Sequence, residues 1–106
     1  MKVDIQTLLP ELKARLRAIY GERLRGVYLY GSYARSEADD ESDVDVLIVL
    51  DRVLVYGAEI DRTSHLMASL SLKYGATLSC VFSSEHDWIN LETAFLDNVR
   101  EEAIAG

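Results

Sequence analysis

The run Val44-Asp45-Val46-Leu47-Ile48-Val49-Leu50 constrains this chain more than any other feature. It reads as the strongest strand in the sequence, with Asp45 its one polar residue. After Asp45 both alternating faces are apolar, which predicts an interior strand of a sheet. A carboxylate at the mouth of such a strand is costly to bury unless something partners it.

The flanking segments alternate between helical and extended patterns. Leu8, Leu9, Leu12, Leu16, Ile19 and Tyr20 recur at three- and four-residue steps and predict a helix over Leu8–Tyr20. Thr7 is its expected N-cap, Pro10 falls in the first turn, and Gly21 is the stop. Arg25–Tyr30 reads as a strand that Gly31-Ser32 breaks, Tyr33–Glu37 as one or two helical turns, and Ala38–Ser42 as a loop. Beyond the apolar run, Gly57–Tyr74 reads as a helix with Ile60, Met67, Leu70 and Tyr74 on one side, ended by Gly75. Thr77–Phe82 is a third strand, and the Ser84-to-Asp87 spacing opens a short helix. Glu92–Glu102 closes as a helix with Ala94, Phe95, Leu96 and Val99 as its apolar side. The expected fold is α/β (α+β), with a small mixed sheet of three to four strands and helices packed mainly on one face. A fourth strand could come only from Ala103-Ile104-Ala105. At 106 residues, positions 1–106 are expected to form a single domain.

Composition narrows the function classes. With 11 Lys+Arg against 18 Asp+Glu the net charge is −7, which disfavours direct nucleic-acid binding and suits a basic protein or metal-bound phosphates. Cys80 is the single cysteine, so a disulfide scaffold is excluded, and the residue is expected to pack as a small hydrophobe. One cysteine with His65 and His86 leaves no Cys/His zinc site. No apolar run approaches a membrane span, and Met1-Lys2-Val3-Asp4 lacks a signal-peptide core, so a cytoplasmic location is expected.

Chemistry concentrates between residues 31 and 45. Gly31-Ser32 ends a strand and begins a helical turn, where a glycine allows close approach of a ligand. Free N–H groups of such a turn, with the Ser32 hydroxyl, can hold phosphate oxygens. Ten residues later come Asp43 and Asp45, two apart at a strand start, so alternation sends both side chains to one face. Paired carboxylates repel unless a cation lies between them, and Mg²⁺ takes carboxylate oxygens together with substrate phosphates. A phosphate cradle on one strand end and metal carboxylates on the next is a layout for nucleotidyl transfer.

The stretch Leu29-Tyr30-Gly31-Ser32-Tyr33-Ala34-Arg35-Ser36, followed by Asp40-Glu41-Ser42-Asp43-Val44-Asp45-Val46-Leu47, resembles the signature of the DNA polymerase beta-type nucleotidyltransferase superfamily. Within it the chain is most similar to the minimal nucleotidyltransferases (MNT), including antitoxins paired with helical HEPN-domain ribonuclease toxins. The likeness extends to the closing segment Asn98-Val99-Arg100-Glu101-Glu102. It implies that Gly31 and Ser32 bind nucleotide phosphates and that Asp43 and Asp45 bind Mg²⁺ as the catalytic carboxylates. For Arg35 two roles stay open: a phosphate contact, or a loop brace through Glu37, Asp39 and Asp40. The implied reaction moves AMP from Mg-ATP to a hydroxyl of a partner, a tyrosine of a HEPN-type toxin, within a hetero-oligomer.

In one respect the chain departs from the pattern. Superfamily members place a third carboxylate on the following strand; Thr77-Leu78-Ser79-Cys80-Val81-Phe82 has none, and Ser79 is the expected equivalent. Glu85 and Asp87 come past the strand. Two rival readings therefore remain, a catalytically inert antitoxin that works by binding and a free-standing small-molecule nucleotidyltransferase. Elsewhere, Trp88 is expected to pack, His65 to lie on the surface, His86 to be a weak candidate base, and Asp39-Asp40-Glu41 to form a solvated rim. Of Tyr28, Tyr30 and Tyr33 around the turn, most should pack and one could stack on a base.

Overall fold

A computed structural model describes residues 3–106. Met1 and Lys2, part of the start read above as lacking a leader, lie outside the described residues. The chain order is α1 (Ile5–Tyr20), a 3₁₀ turn (Gly21–Arg23), β1 (Leu24–Tyr30), β2 (Val44–Leu50), α2 (Tyr56–Tyr74), β3 (Leu78–Ser84), α3 (Glu85–Asn90), α4 (Ala94–Glu102) and β4 (Ile104–Ala105). The sheet runs β3-β2-β1-β4, so the apolar run is an interior strand as its pattern requires. β1 pairs antiparallel with both β2 and β4, whereas β2 and β3 run parallel, joined by the α2 crossover. The fourth strand exists, and it is short: Leu29 pairs with Ile104 and Tyr28 with Ala105.

Strand alternation divides the apolar residues between two cores. Val44, Val46, Ile48 and Leu50 of β2 join Val27 and Leu29 of β1 beneath Leu8, Leu12 and Leu16 of α1 and Leu66 and Leu70 of α2. Leu47 and Val49 face the other way and pack with Leu96 and Val99 of α4, beside Tyr28, Val81 and Trp88. The two long helices thus share one face, and the other is partly covered by the short α3 and α4. Among the described residues no helix is long and apolar enough to cross a membrane.

Several local expectations are corrected. Asp4, not Thr7, caps α1: its carboxylate accepts the Thr7 N–H at 3.3 Å and the Thr7 hydroxyl at 2.7 Å. The helix starts earlier in consequence, and Pro10 falls in its second turn, where the ring removes the bond otherwise given to the Gln6 carbonyl. On α2 the buried stripe is Glu59, Thr63, Leu66, Met67 and Leu70, and Ile60 is exposed. Glu59 can lie inward because the Tyr20 hydroxyl donates to it at 2.8 Å and Arg23 and Arg62 pair with it. α4 begins at Ala94 behind a Thr93 cap, whose hydroxyl accepts the Leu96 N–H at 3.1 Å. Only Leu96 and Val99 of its expected apolar side are buried; Ala94 and Phe95 are exposed.

Candidate active site

Alternation along β2 sends Asp45 to the face of Leu47 and Val49, and the exposed Asp43 just before the strand is near enough for its charge to act on Asp45. Asp45 stands at the strand's entry, between Tyr30 of β1 and Ser79 of β3 in the sheet register. The Asp45 carboxylate is half-buried and has no hydrogen-bond or ion-pair partner among the described residues, and burial with the charge of Asp43 pushes its pKa up. Tyr30, directly across, has its phenol pushed up to about 12 by burial and by the Asp45 charge.

The turn after β1 fits closely around that carboxylate. Gly31 has φ +76°, and a Cβ placed on it would fall inside Asp45 Oδ2. Both the backbone angle and the carboxylate therefore require glycine. The next residues make one helical turn, with the Arg35 N–H donating to the Gly31 carbonyl at 3.1 Å. It ends as helices end, with Glu37 N–H on the Ser32 carbonyl at 2.8 Å, Ser36 N–H on the Tyr33 carbonyl at 3.4 Å, and Ser36 left-handed at φ 59°. The N–H groups of Ser32, Tyr33 and Ala34 are left without an acceptor among the described residues.

Arg35 does not reach out alone. Its Nη1 donates to Glu102 Oε2 at 2.8 Å and its Nε to Glu37 Oε2 at 3.1 Å. Glu37 is thus a brace partner as expected, whereas Asp39 holds the Ser42 hydroxyl, at 3.1 Å, and the Glu41 N–H, at 2.9 Å. Ser42 closes the turn into Asp43 by accepting the Asp39 N–H at 3.0 Å. Glu102, named above only as the end of the closing segment and given no role at the site, also accepts the Gly31 N–H through Oε1 at 3.3 Å. No local spacing could have found it, because its partners lie 67 and 71 positions away.

Among the described residues no group of three or more His, Cys, Asp and Glu is placed to hold a metal. Ser79 sits in register with Asp45, where a third carboxylate would have to stand. Glu85 and Asp87 lie at the far end of β3, roughly 17 Å along the strand at about 3.3 Å per residue. Two oxygen-donor carboxylates, one half-buried, like-charged and unpartnered, fit a hard divalent cation such as Mg²⁺. His65 and His86 are exposed, and neither is at the site. Trp88 packs on Tyr28 at 4.7 Å between ring centroids, and the Arg100 guanidinium lies 5.5 Å from the Trp88 ring centroid.

Past Asp45 on the same face, Leu47 and Val81 floor a groove of about 410 Å³ walled by Tyr56, Leu91, Phe95 and the exposed Leu54. Phe95 meets Tyr30 edge-on at 5.5 Å, which joins the groove to the carboxylate edge.

Residues 9–102 match the nucleotidyltransferase domain family. The chain is 30% identical to a candidate protein adenylyltransferase of Methanocaldococcus jannaschii, over 96% of this chain and 98% of that one. It is 36% identical to the protein adenylyltransferase MntA of Thermococcus cleftensis, over 66% of this chain and 69% of MntA. Its fold is similar to that in a complex of the tri-AMPylated Shewanella oneidensis HEPN toxin with its MNT antitoxin. There the TM-score is 0.63 at 17% identity, covering 94% of this chain and 69% of that one. With the Gly31 turn closed on the strand-borne Asp45 and a family match across nearly its whole length, the chain belongs to the nucleotidyltransferase domain family, in its minimal form.

Proposed function

We propose that this chain transfers AMP from Mg-ATP to a hydroxyl, a tyrosine, of a HEPN-type ribonuclease toxin in the cytoplasm and so acts as its antitoxin. The observation that carries this reading is the unpartnered Asp45 carboxylate beside Asp43, against the Gly31-Ser32 turn. Asp43 and Asp45 hold Mg²⁺, which when bound neutralises charge on the triphosphate. The Ser32 hydroxyl and the open N–H groups of Ser32, Tyr33 and Ala34 hold phosphate oxygens of ATP. Gly31 lets this backbone close on the ligand. In-line attack by the acceptor oxygen forms its bond to the α-phosphorus as the bond to pyrophosphate breaks. The largely apolar groove that runs from Phe95, next to Tyr30, toward the far end of β3 favours a polypeptide acceptor over a small polar one. The curated relatives named as protein adenylyltransferases and the AMPylated toxin complex point the same way.

A second reading, an inert antitoxin that blocks its toxin by binding, is favoured by Ser79 standing where a third carboxylate would. Labelling separates the two. Purified HEPN toxin from the same genome, incubated with the chain, α-labelled ATP and Mg²⁺, should take up label. Asp43→Asn and Asp45→Asn should each abolish the uptake. Label persisting in both variants would refute the site, and tight binding without label would favour the inert reading.

A further inference from the structure

Glu102 ends α4 immediately before β4, and its backbone is held firmly. The Ala103 N–H bonds the Val99 carbonyl at 2.8 Å, Ile104 pairs with Leu29, and the Gly106 N–H bonds the Val27 carbonyl at 2.8 Å. From that anchor its carboxylate reaches the turn between β1 and β2. One oxygen takes the Gly31 N–H and the other takes Arg35, while the Arg35 N–H bonds back to the Gly31 carbonyl. The result is a closed ring around the first and last residues of the turn whose three inner N–H groups are open. We propose that Glu102 is a positioning residue for the nucleotide: its carboxylate fixes the Gly31–Arg35 turn, and Arg35 acts through it and not as a phosphate ligand.

This inference rests on the nucleotide reading above and goes further into the same site. It assigns the Gly31 N–H to Glu102, which leaves the amides of Ser32, Tyr33 and Ala34 for phosphate. It also gives the closing segment a task at the site, since β4 sets where Glu102 stands. Arg35 keeps the Glu102 carboxyl below its usual range, so the carboxylate stays charged and the ring stays closed through the neutral range. The Arg35 charge also offsets the repulsion that Glu102 would otherwise exert on Asp45 and on an incoming phosphate.

The test is a double-mutant cycle on the full chain, read by titration with a fluorescent ATP analogue and Mg²⁺ and by KM for ATP against kcat in toxin labelling. Glu102→Ala should weaken nucleotide binding by about tenfold or more, as expected when a charge-assisted bond is lost, with kcat at saturating ATP little changed. Glu102→Gln keeps an oxygen for the Gly31 N–H and should fall between Ala and wild type. Arg35→Ala and the double variant should each resemble Glu102→Ala, because all three open the same ring. Additive losses, with Arg35→Ala the worse, would make Arg35 a direct phosphate ligand and overturn the proposal. Tighter binding by Glu102→Ala would make Glu102 a plug in the phosphate site, and unchanged binding would leave it no role; either overturns the proposal alone. Absence of nucleotide binding by the wild type would overturn the parent reading with it. Should Glu102→Ala fail to fold, Glu102→Gln and Arg35→Ala carry the same comparison.

Discussion

Asp45 shows at the scale of one residue how a site is kept at a cost to the fold. Its carboxylate is half-buried, next to Asp43, and unpartnered, so the folded chain raises its pKa above the ordinary carboxylate value. A group shifted in that direction favours the folded state while protonated, and that contribution is lost as pH rises through the raised pKa. At neutral pH in metal-free buffer the full cost is present. Asp45→Asn should therefore melt higher than wild type there, with the gap closing as pH falls toward 4 and narrowing when Mg²⁺ is added. A thermal melt series across pH, with and without Mg²⁺, checks this, and an Asn variant less stable at pH 7 without metal would count against it. Gly31 is the complementary case. Gly31→Ala places a side chain at positive φ and into Asp45, so unfolding free energy should drop by about 1–3 kcal/mol in urea titration. Nucleotide binding should suffer more than that loss of stability implies, because the turn and the carboxylate are displaced together.

At the scale of elements, what could be read in advance was what is local. The apolar run gave β2 its limits, and two-residue alternation placed Asp45 on the face of Leu47 and Val49, with Asp43 just ahead of the strand. The lack of a carboxylate in β3 was equally plain, and the register sets Ser79 beside Asp45. What periodicity could not show were pairings across the chain. Glu59 was absent from the expected buried side of α2 because nothing nearby reveals that the buried Tyr20 hydroxyl and the Arg23 guanidinium meet it. Glu102 was hidden for the same reason. Phe95 was placed on the apolar side of α4, whereas it lies exposed at the groove, edge-on to Tyr30. Two element-level outcomes follow. Glu59→Ala leaves the buried Tyr20 hydroxyl without its acceptor, while Arg23 and Arg62 stay solvated, and should cost about 1–3 kcal/mol of stability in urea. Ser36→Gly relieves a left-handed residue at the end of the turn and should add about 0.5–1 kcal/mol by the same measurement.

For the whole molecule, the net charge of −7 gains a location. Glu37, Asp39, Asp40, Glu41, Asp43 and Asp45 place six acids within nine residues, all at or beside the entry edge of β2. Two of them face the site, and the rim around them suits a basic partner. The sheet separates the work: the long helices stabilise one face, and the other carries carboxylates, turn and groove in sequence. The central claim is that this edge holds a metal-bound nucleotide. A crystal structure with Mn²⁺ and a non-hydrolysable ATP analogue tests it most directly. The anomalous signal should place Mn²⁺ between Asp43 and Asp45, with phosphate oxygens on the amides of Ser32, Tyr33 and Ala34. Metal elsewhere, or a triphosphate seated in the Leu54–Phe95 groove, would contradict it.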